Sequence, residues 1–228
     1  MPPEGPPEGP PEAPPEGLPE LPPERPGTPN TVVAALLAGG AGARFDDRDG
    51  THKLAASLGA TAKEPAESVF ERALRQVRRA GIGPIVIVTG SWSPTPEQIG
   101  ERDAGVTIVA NPRWAEGQIT SVRVALEAAA GLGADRIVIG LADQPFVTPD
   151  AWRTVARVPG PIAVATYAGR RGNPVALDRS VWHLLPEHGD EGARALMRIR
   201  PDLVREVACS GSPADIDTAE DFRRWQNY

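Results

Sequence analysis

One cysteine, Cys209, in 228 residues leaves no internal disulfide to be made, and such usage suits a reducing cytosol. Three histidines, His52, His183 and His188, show no metal-ligand spacing. No apolar run approaches the length of about 18 residues that a membrane-crossing helix needs. The N-terminus lacks a basic segment followed by an apolar one, so a secretory signal is not expected and the expected location is the cytoplasm. No basic stripe of the kind that meets nucleic acid is present, and no Cys–His or Ser–His pairing offers a protein nucleophile. These absences point away from secreted, membrane-bound and nucleic-acid-binding proteins.

What is present divides the chain in two. The N-terminal residues repeat Pro-Pro-Glu-Gly with acids at Glu4, Glu8, Glu12, Glu16, Glu20 and Glu24 and one base, Arg25. Such a segment has little to bury and favours extended polyproline II, so residues 1–30 read as a solvated tail. The tail carries five of the six net negative charges, which leaves the rest of the chain close to neutral. Residues 31–228 are long enough for one domain with a large core.

That domain alternates. Apolar runs at Val32–Ala35, Pro84–Val88, Val106–Ala110 and Arg136–Leu141 read as strands covered on both faces. Further strands are expected at Ile162–Tyr167, Pro174–Leu177 and Leu203–Ala208. Helices are expected over Pro65–Ala80, Gln118–Ala130, Thr148–Val158 and Thr218–Asn227, with Thr148 as N-cap and Pro149 at the first helical position. The expected fold class is α/β: a three-layer α/β/α sandwich with a mostly parallel, Rossmann-like sheet. In such sheets ligands bind beyond the carboxyl ends of the strands.

The first strand runs into Leu37-Ala38-Gly39-Gly40-Ala41-Gly42-Ala43-Arg44, with Lys53 a short way on. Glycines bring backbone N–H groups close to a ligand, and Arg and Lys beside them suit a polyphosphate. A P-loop is excluded because Leu54 follows Lys53 and no glycine precedes it. A dinucleotide fingerprint is excluded because Phe45 stands where its third glycine is needed. A plain strand-to-helix turn with a basic flank is the alternative. Asp143, at the tip of the Arg136–Leu141 strand, is placed either to hold Mg²⁺ or to cap the following turn. Asp215 and Asp217 precede the last helix, where either acid or Thr218 can serve as cap. Gln118, Thr120 and Ser121 open a helix that makes a natural anion site. Gly169–Pro174 and Gly189–Arg194 read as glycine-bounded charged turns.

Together these segments resemble the nucleotidyltransferases that attach a nucleoside monophosphate to molybdopterin, and most of all their cytidylyltransferase branch. The resemblance runs from about Val32 to the C-terminus. It rests on the glycine loop with Arg44 and Lys53, Asn111-Pro-Arg-Trp-Ala-Glu-Gly117 with Thr120-Ser121, and Ala142-Asp143-Gln-Pro145. Gly172-Asn-Pro-Val175, Gly189-Asp-Glu-Gly-Ala-Arg194 and Asp215-Ile-Asp-Thr218 complete it. It implies a GT-A-like nucleotidyltransferase fold and Mg²⁺-dependent transfer from an NTP with release of pyrophosphate. By the same resemblance Leu37, Ala38, Gly39, Gly40 and Gly42 cradle the nucleotide, while Arg44 and Lys53 neutralise its triphosphate. Asp143 would hold the metal with Asp217; Gln118, Thr120, Ser121, Asp190 and Arg194 would bind the acceptor. The implied partners are CTP or GTP, the molybdopterin cofactor and a molybdoenzyme of the xanthine dehydrogenase type. Two departures stand out. Leu37-Ala38-Gly39-Gly40 is the guanylyl pattern, where the cytidylyl branch has Leu-Ala-Ala-Gly, so both bases stay open. The link from Asp46 to Thr51 is long and acidic. A different phosphorylated acceptor, and a non-catalytic cofactor carrier, are the rival readings.

Overall fold

A computed structural model describes residues 31–42, 45, 51–59, 66–100, 105–218 and 220–222. The tail, Arg44, most of the acidic link (46–50) and most of the expected Thr218–Asn227 helix (219 and 223–227) lie outside the described residues. In chain order the elements are β1 (Val32–Ala38), β2 (Ser57–Leu58), β3 (Glu67–Ser68), α1 (Val69–Ala80), β4 (Ile85–Thr89) and α2 (Pro96–Ile99). Then come β5 (Val106–Ala110), α3 (Gln118–Gly131), β6 (Arg136–Leu141), α4 (Pro149–Arg157), β7 (Ile162–Tyr167), β8 (Arg170–Asp178), α5 (Ala193–Ile199) and β9 (Val204–Ala208).

Seven strands form one sheet in the order β5-β4-β1-β6-β8-β7-β9. Only β8 runs antiparallel to its neighbours, so the sheet is mostly parallel. Both faces are covered, which explains the unbroken apolar run of β1. Ala34, Leu36 and Ala38 face one core with Phe70, Leu74 and Trp152, while Val33, Ala35 and Leu37 face another with Ile119, Val122 and Leu196. This is the three-layer α/β/α arrangement. Gly140 marks how closely α4 packs on β6: a Cβ there would lie 2.5 and 2.6 Å from ring atoms of the buried Trp152. Gly140→Ala is expected to cost about 1–3 kcal/mol through overpacking. Urea denaturation should register this as a lower midpoint with an unchanged slope.

Local signals set several boundaries. Thr148 caps α4 by accepting from Ala151 N at 3.2 Å, with Pro149 in the first turn. Gly81 closes α1 in the left-handed region, where a side chain is disfavoured (φ 61°). That helix begins at Val69, inside the expected span, because Ser68 and Glu71 form a capping box. Two strand readings need correction. β5 is apolar but lies on the sheet edge, and Ile108 is 46% exposed. Arg170–Pro174 is not a loop; these residues begin β8, and Ala168-Gly169 makes the turn from β7. Asn173 and Pro174 are the extra residues of a bulge, since Val164 pairs with Val175 and Ala165 with Gly172.

Candidate active site

β1 has β4 on one side and β6 on the other, so the chain leaves β1 at the point where the strand order reverses. Such a crevice is where open α/β sheets bind ligands. Gly39 and Gly40 follow β1 here, Gly90 follows β4, and Ala142-Asp143 follow β6, whose Leu141 lies beside Leu37 in register. A Cβ on Gly90 would meet Gly39 O at 2.5 Å, so two loops converge closely enough to require glycine.

Lys53 joins the glycine loop to the acids. Its ammonium lies 2.6 Å from Asp143 Oδ2 and 2.8 Å from Asp217 Oδ1. Burial works against this charge, but Asp143 and Asp217 overcome it and hold the Lys53 pKa above its ordinary value. Asp217 arrives by a specific route. Ile216 is fully buried and donates its backbone N–H to Asp143 O at 2.9 Å. Thr218 and Asp221 cap one another: Thr218 N and Oγ1 donate to Asp221 Oδ2 at 3.0 and 2.8 Å, and Asp221 N donates back at 3.1 Å. The cap therefore falls to Thr218, and the Asp217 carboxylate reaches Lys53. Asp215 takes a hydrogen bond from Gln144. Desolvation raises the Asp215 pKa, and the nearby Asp143 and Asp217 add to the rise against the Gln144 bond.

Gln144 is 5% exposed and was not singled out by its sequence context. It also donates to Pro213 O at 3.1 Å and accepts from Asn173 Nδ2 at 3.0 Å. One amide thus ties the β8 bulge to the segment that carries Asp215 and Asp217. Asn111 does the same on the other side. Its Nδ2 donates to Thr120 Oγ1 and Ser121 Oγ, each at 2.9 Å, and its Oδ1 accepts from Arg113 N. Gln and Asn carry donors and an acceptor on one group, which suits such buried cross-links. The Gln144 partners lie 29 to 71 positions away in the chain, so no spacing could reveal them, whereas those of Asn111 lie within 10 positions.

A cavity of about 860 Å³ joins these parts. Gly40, Ala41, Gly42, Lys53, Asp143 and Asp217 line it. Arg171, Asn173, Arg194 and Arg198 line it too, with the apolar Val122, Val164 and Met197. A smaller cavity of about 290 Å³ lies between Gly39–Ala41 and the start of α3, reaching Trp114, Gly117, Ser121 and Asp190. Leu37 borders both cavities, whereas Ala38 is buried at the end of β1. The Gly189–Arg194 turn packs on the start of α3, where Ile119 N donates to Gly189 O at 3.2 Å. Gln118, Ser121, Asp190 and Arg194 therefore share one region. Thr120 does not reach it: the residue is 4% exposed, and its Oγ1 lies 2.9 and 2.8 Å from the carbonyls of Arg113 and Gly117.

The donor set at Asp143 fits a hard divalent cation. Among the described residues, Asp143 Oδ1 is buried with no hydrogen-bond partner, a costly state for a carboxylate oxygen. Among the described residues no group of three or more His, Cys, Asp or Glu is placed to hold a metal. Two carboxylates completed by substrate phosphates is the pattern Mg²⁺ favours. No helix among the described residues is long and apolar enough to cross a membrane.

Sheet topology, a glycine loop with a buried lysine, and acids at the strand ends define an α/β enzyme of the nucleotidyltransferase class. The chain belongs to the family of MobA-like NTP transferase domains, whose profile matches residues 34–207. It is 31% identical over 206 residues to the nicotine blue oxidoreductase of Paenarthrobacter nicotinovorans, covering 85% of this chain and 95% of that protein. It is 36% identical over 112 residues to the purine catabolism protein PucB of Bacillus subtilis (strain 168). That likeness covers 47% of this chain and 55% of PucB. The crystal structure of Rv0371c from Mycobacterium tuberculosis H37Rv aligns with a TM-score of 0.69 at 31% identity, over 86% of this chain and 98% of that one. A structure of Rv0371c in complex with manganese aligns at 0.65 and 29% identity, with the same coverage.

Proposed function

We propose that this protein transfers CMP from CTP to the terminal phosphate of the molybdopterin cofactor, with Mg²⁺ as the metal and pyrophosphate as the second product. The observation that carries this reading is the Asp143–Lys53–Asp217 cluster lining one cavity together with the glycine loop. About 860 Å³ lies in the upper part of the usual range for small-molecule sites. The Rv0371c manganese complex supports a divalent metal. The PucB likeness is in keeping with a downstream molybdoenzyme of the xanthine dehydrogenase type. A redox reading, taken from the relative named an oxidoreductase, would want a dinucleotide cradle, and Phe45 stands at its third glycine position.

In this mechanism the Gly40–Gly42 amides receive the phosphates, and Lys53, with Arg44, offsets their charge. Asp143 and Asp217 would hold Mg²⁺, which when bound neutralises phosphoryl oxygens and the departing pyrophosphate. The acceptor rests toward Gln118, Ser121, Asp190 and Arg194, so that its terminal phosphate faces the α-phosphorus. An acceptor phosphate oxygen bonds to that phosphorus as the bond to the bridging oxygen breaks, and pyrophosphate carries off the electron pair. Positioning and charge stabilisation supply the rate, and no protein nucleophile is required. Pyrophosphate release with molybdopterin cofactor and Mg²⁺ tests the reading. Release with CTP supports it, release with GTP alone moves the protein to guanylyl transfer, and release with neither overturns it.

Gly39 is the position where the two nucleobase patterns differ. A Cβ there would lie 3.2 Å from Ser121 Oγ and 3.7 Å from Gly90, a tight but tolerable fit. Gly39→Ala is expected to shift the CTP-to-GTP ratio of kcat/KM about tenfold toward CTP, the scale of one added methyl group in a pocket. An unchanged ratio would place base selection on other residues.

A further inference from the structure

A cradle of backbone amides works only if each peptide is held with its N–H toward the ligand. The Gly40 carbonyl is held from two sides. Ser91 Oγ donates to it at 2.8 Å, and His52 Nε2 lies 3.3 Å from it. His52 Nδ1 meanwhile accepts from Leu54 N at 3.3 Å. These two contacts together require a neutral ring with its proton on Nε2, which makes His52 a donor to Gly40. Burial lowers the His52 pKa, opposed by the Gly40 carbonyl and aided by the Lys53 charge.

The ring itself is fixed to the core. It stacks on Trp92 with centroids 5.6 Å apart and planes 9° apart. Trp92 in turn meets the fully buried Phe70 edge-on at 5.2 Å. The ring also abuts the loop: Gly42 has φ 62°, and a Cβ on it would lie 3.2 Å from His52 Nε2. Gly40 and Ala41 border both cavities, whereas His52 and Ser91 border neither. In a planar trans peptide the carbonyl and the following N–H point in opposite directions. Holding the Gly40 carbonyl against the wall therefore turns the Ala41 N–H the other way.

We propose that His52 and Ser91 are positioning residues that lock the Gly40–Ala41 peptide and present the Ala41 amide to a phosphate of the nucleotide. This rests on the reading of the cavity as an NTP site. Neither residue touches the nucleotide; both act through the loop. A loop with only one of the two donors stays partly oriented, and a loop with neither can rotate its peptide.

His52→Phe keeps a flat ring against Trp92 and removes the donor. His52→Gln restores an amide N–H at the same reach without the ring. Calorimetric titration with Mg·CTP and Mg·GTP is the measurement, with thermal unfolding followed in parallel. His52→Phe is expected to raise Kd about three- to tenfold, the scale of one lost hydrogen bond, with little change in Tm. His52→Gln should bind within about twofold of wild type, because the donor rather than the ring orients the loop. The double variant His52→Phe/Ser91→Ala should lose more than the product of the two single effects, because one carbonyl loses both donors. Wild-type affinity in the double variant overturns the proposal, as does a loss in His52→Phe that His52→Gln fails to restore. Wild-type protein that binds neither nucleotide fails the functional reading and this proposal with it. Wild-type protein that binds, beside an unaffected double variant, fails this proposal alone.

Discussion

Asp143→Asn should leave the protein folded and lower kcat roughly a hundred- to a thousandfold, the loss typical of removing one element of transition-state charge stabilisation. Asn matches Asp in size, so the turn after β6 and the backbone bond from Ile216 N to Asp143 O can persist. An amide oxygen can still accept from Lys53, but the group no longer carries charge for a cation. The buried Oδ1, which lacks a hydrogen-bond partner among the described residues, is the atom that the proposed reading gives to the cation. Chemistry should suffer more than binding, because the glycine loop and Lys53 remain. Steady-state pyrophosphate release, with circular dichroism as the folding control, makes the comparison. A kcat within about twofold of wild type would remove Asp143 from the metal role.

Lys53→Met should raise the Kd for NTP about ten- to a hundredfold, through loss of a charge-assisted contact in a poorly solvated site. Met keeps most of the aliphatic stem, which sits in a residue only 7% exposed. The same change leaves Asp143 and Asp217 facing each other without their shared cation. Losing these charged hydrogen bonds is expected to cost about 1.5–3 kcal/mol and several degrees in Tm. The sign with pH is fixed by the raised Lys53 pKa. The ammonium's contribution is fully present below the ordinary lysine value and is lost only as pH climbs through the raised one. Wild type and variant should therefore differ by a constant amount across neutral pH and converge in strong alkali. NTP affinity unaffected by the substitution would refute the role of Lys53. The two variants also separate from one another, since Asp143→Asn acts on turnover and Lys53→Met on affinity.

Much of the architecture was legible because its causes are local. The apolar run Arg136–Leu141 is β6 with those bounds, and Thr148-Pro149 opens α4 as capping chemistry requires. Gly39-Gly40 at the end of β1 was legible as unshielded backbone after a buried strand, offered to a ligand or to a plain turn. The position of Asp143, as an acid just past the tip of a buried strand, was legible too. Which of Asp215, Asp217 and Thr218 caps the last helix stayed open, because all three carry a capping oxygen.

Other decisions belonged to the tertiary structure. Burial of Ile216 sends its two neighbours to different partners: Asp215 to Gln144, and Asp217 to Lys53. Lys53 is 164 positions from Asp217 in the chain, a pairing no local pattern encodes. Thr120 belongs to the same helix start as Ser121, yet its hydroxyl is turned to Arg113 and Gly117. β5 has the composition of an inner strand and stands at the edge, because periodicity reports which face is apolar and not how many neighbours a strand acquires. The amino-acid order by itself determined most of the long strands, the caps and the residue types offered to a phosphate and a metal. Which of them meet was decided only when the sheet assembled, since contacts between distant segments depend on strand order and packing rather than on local propensity.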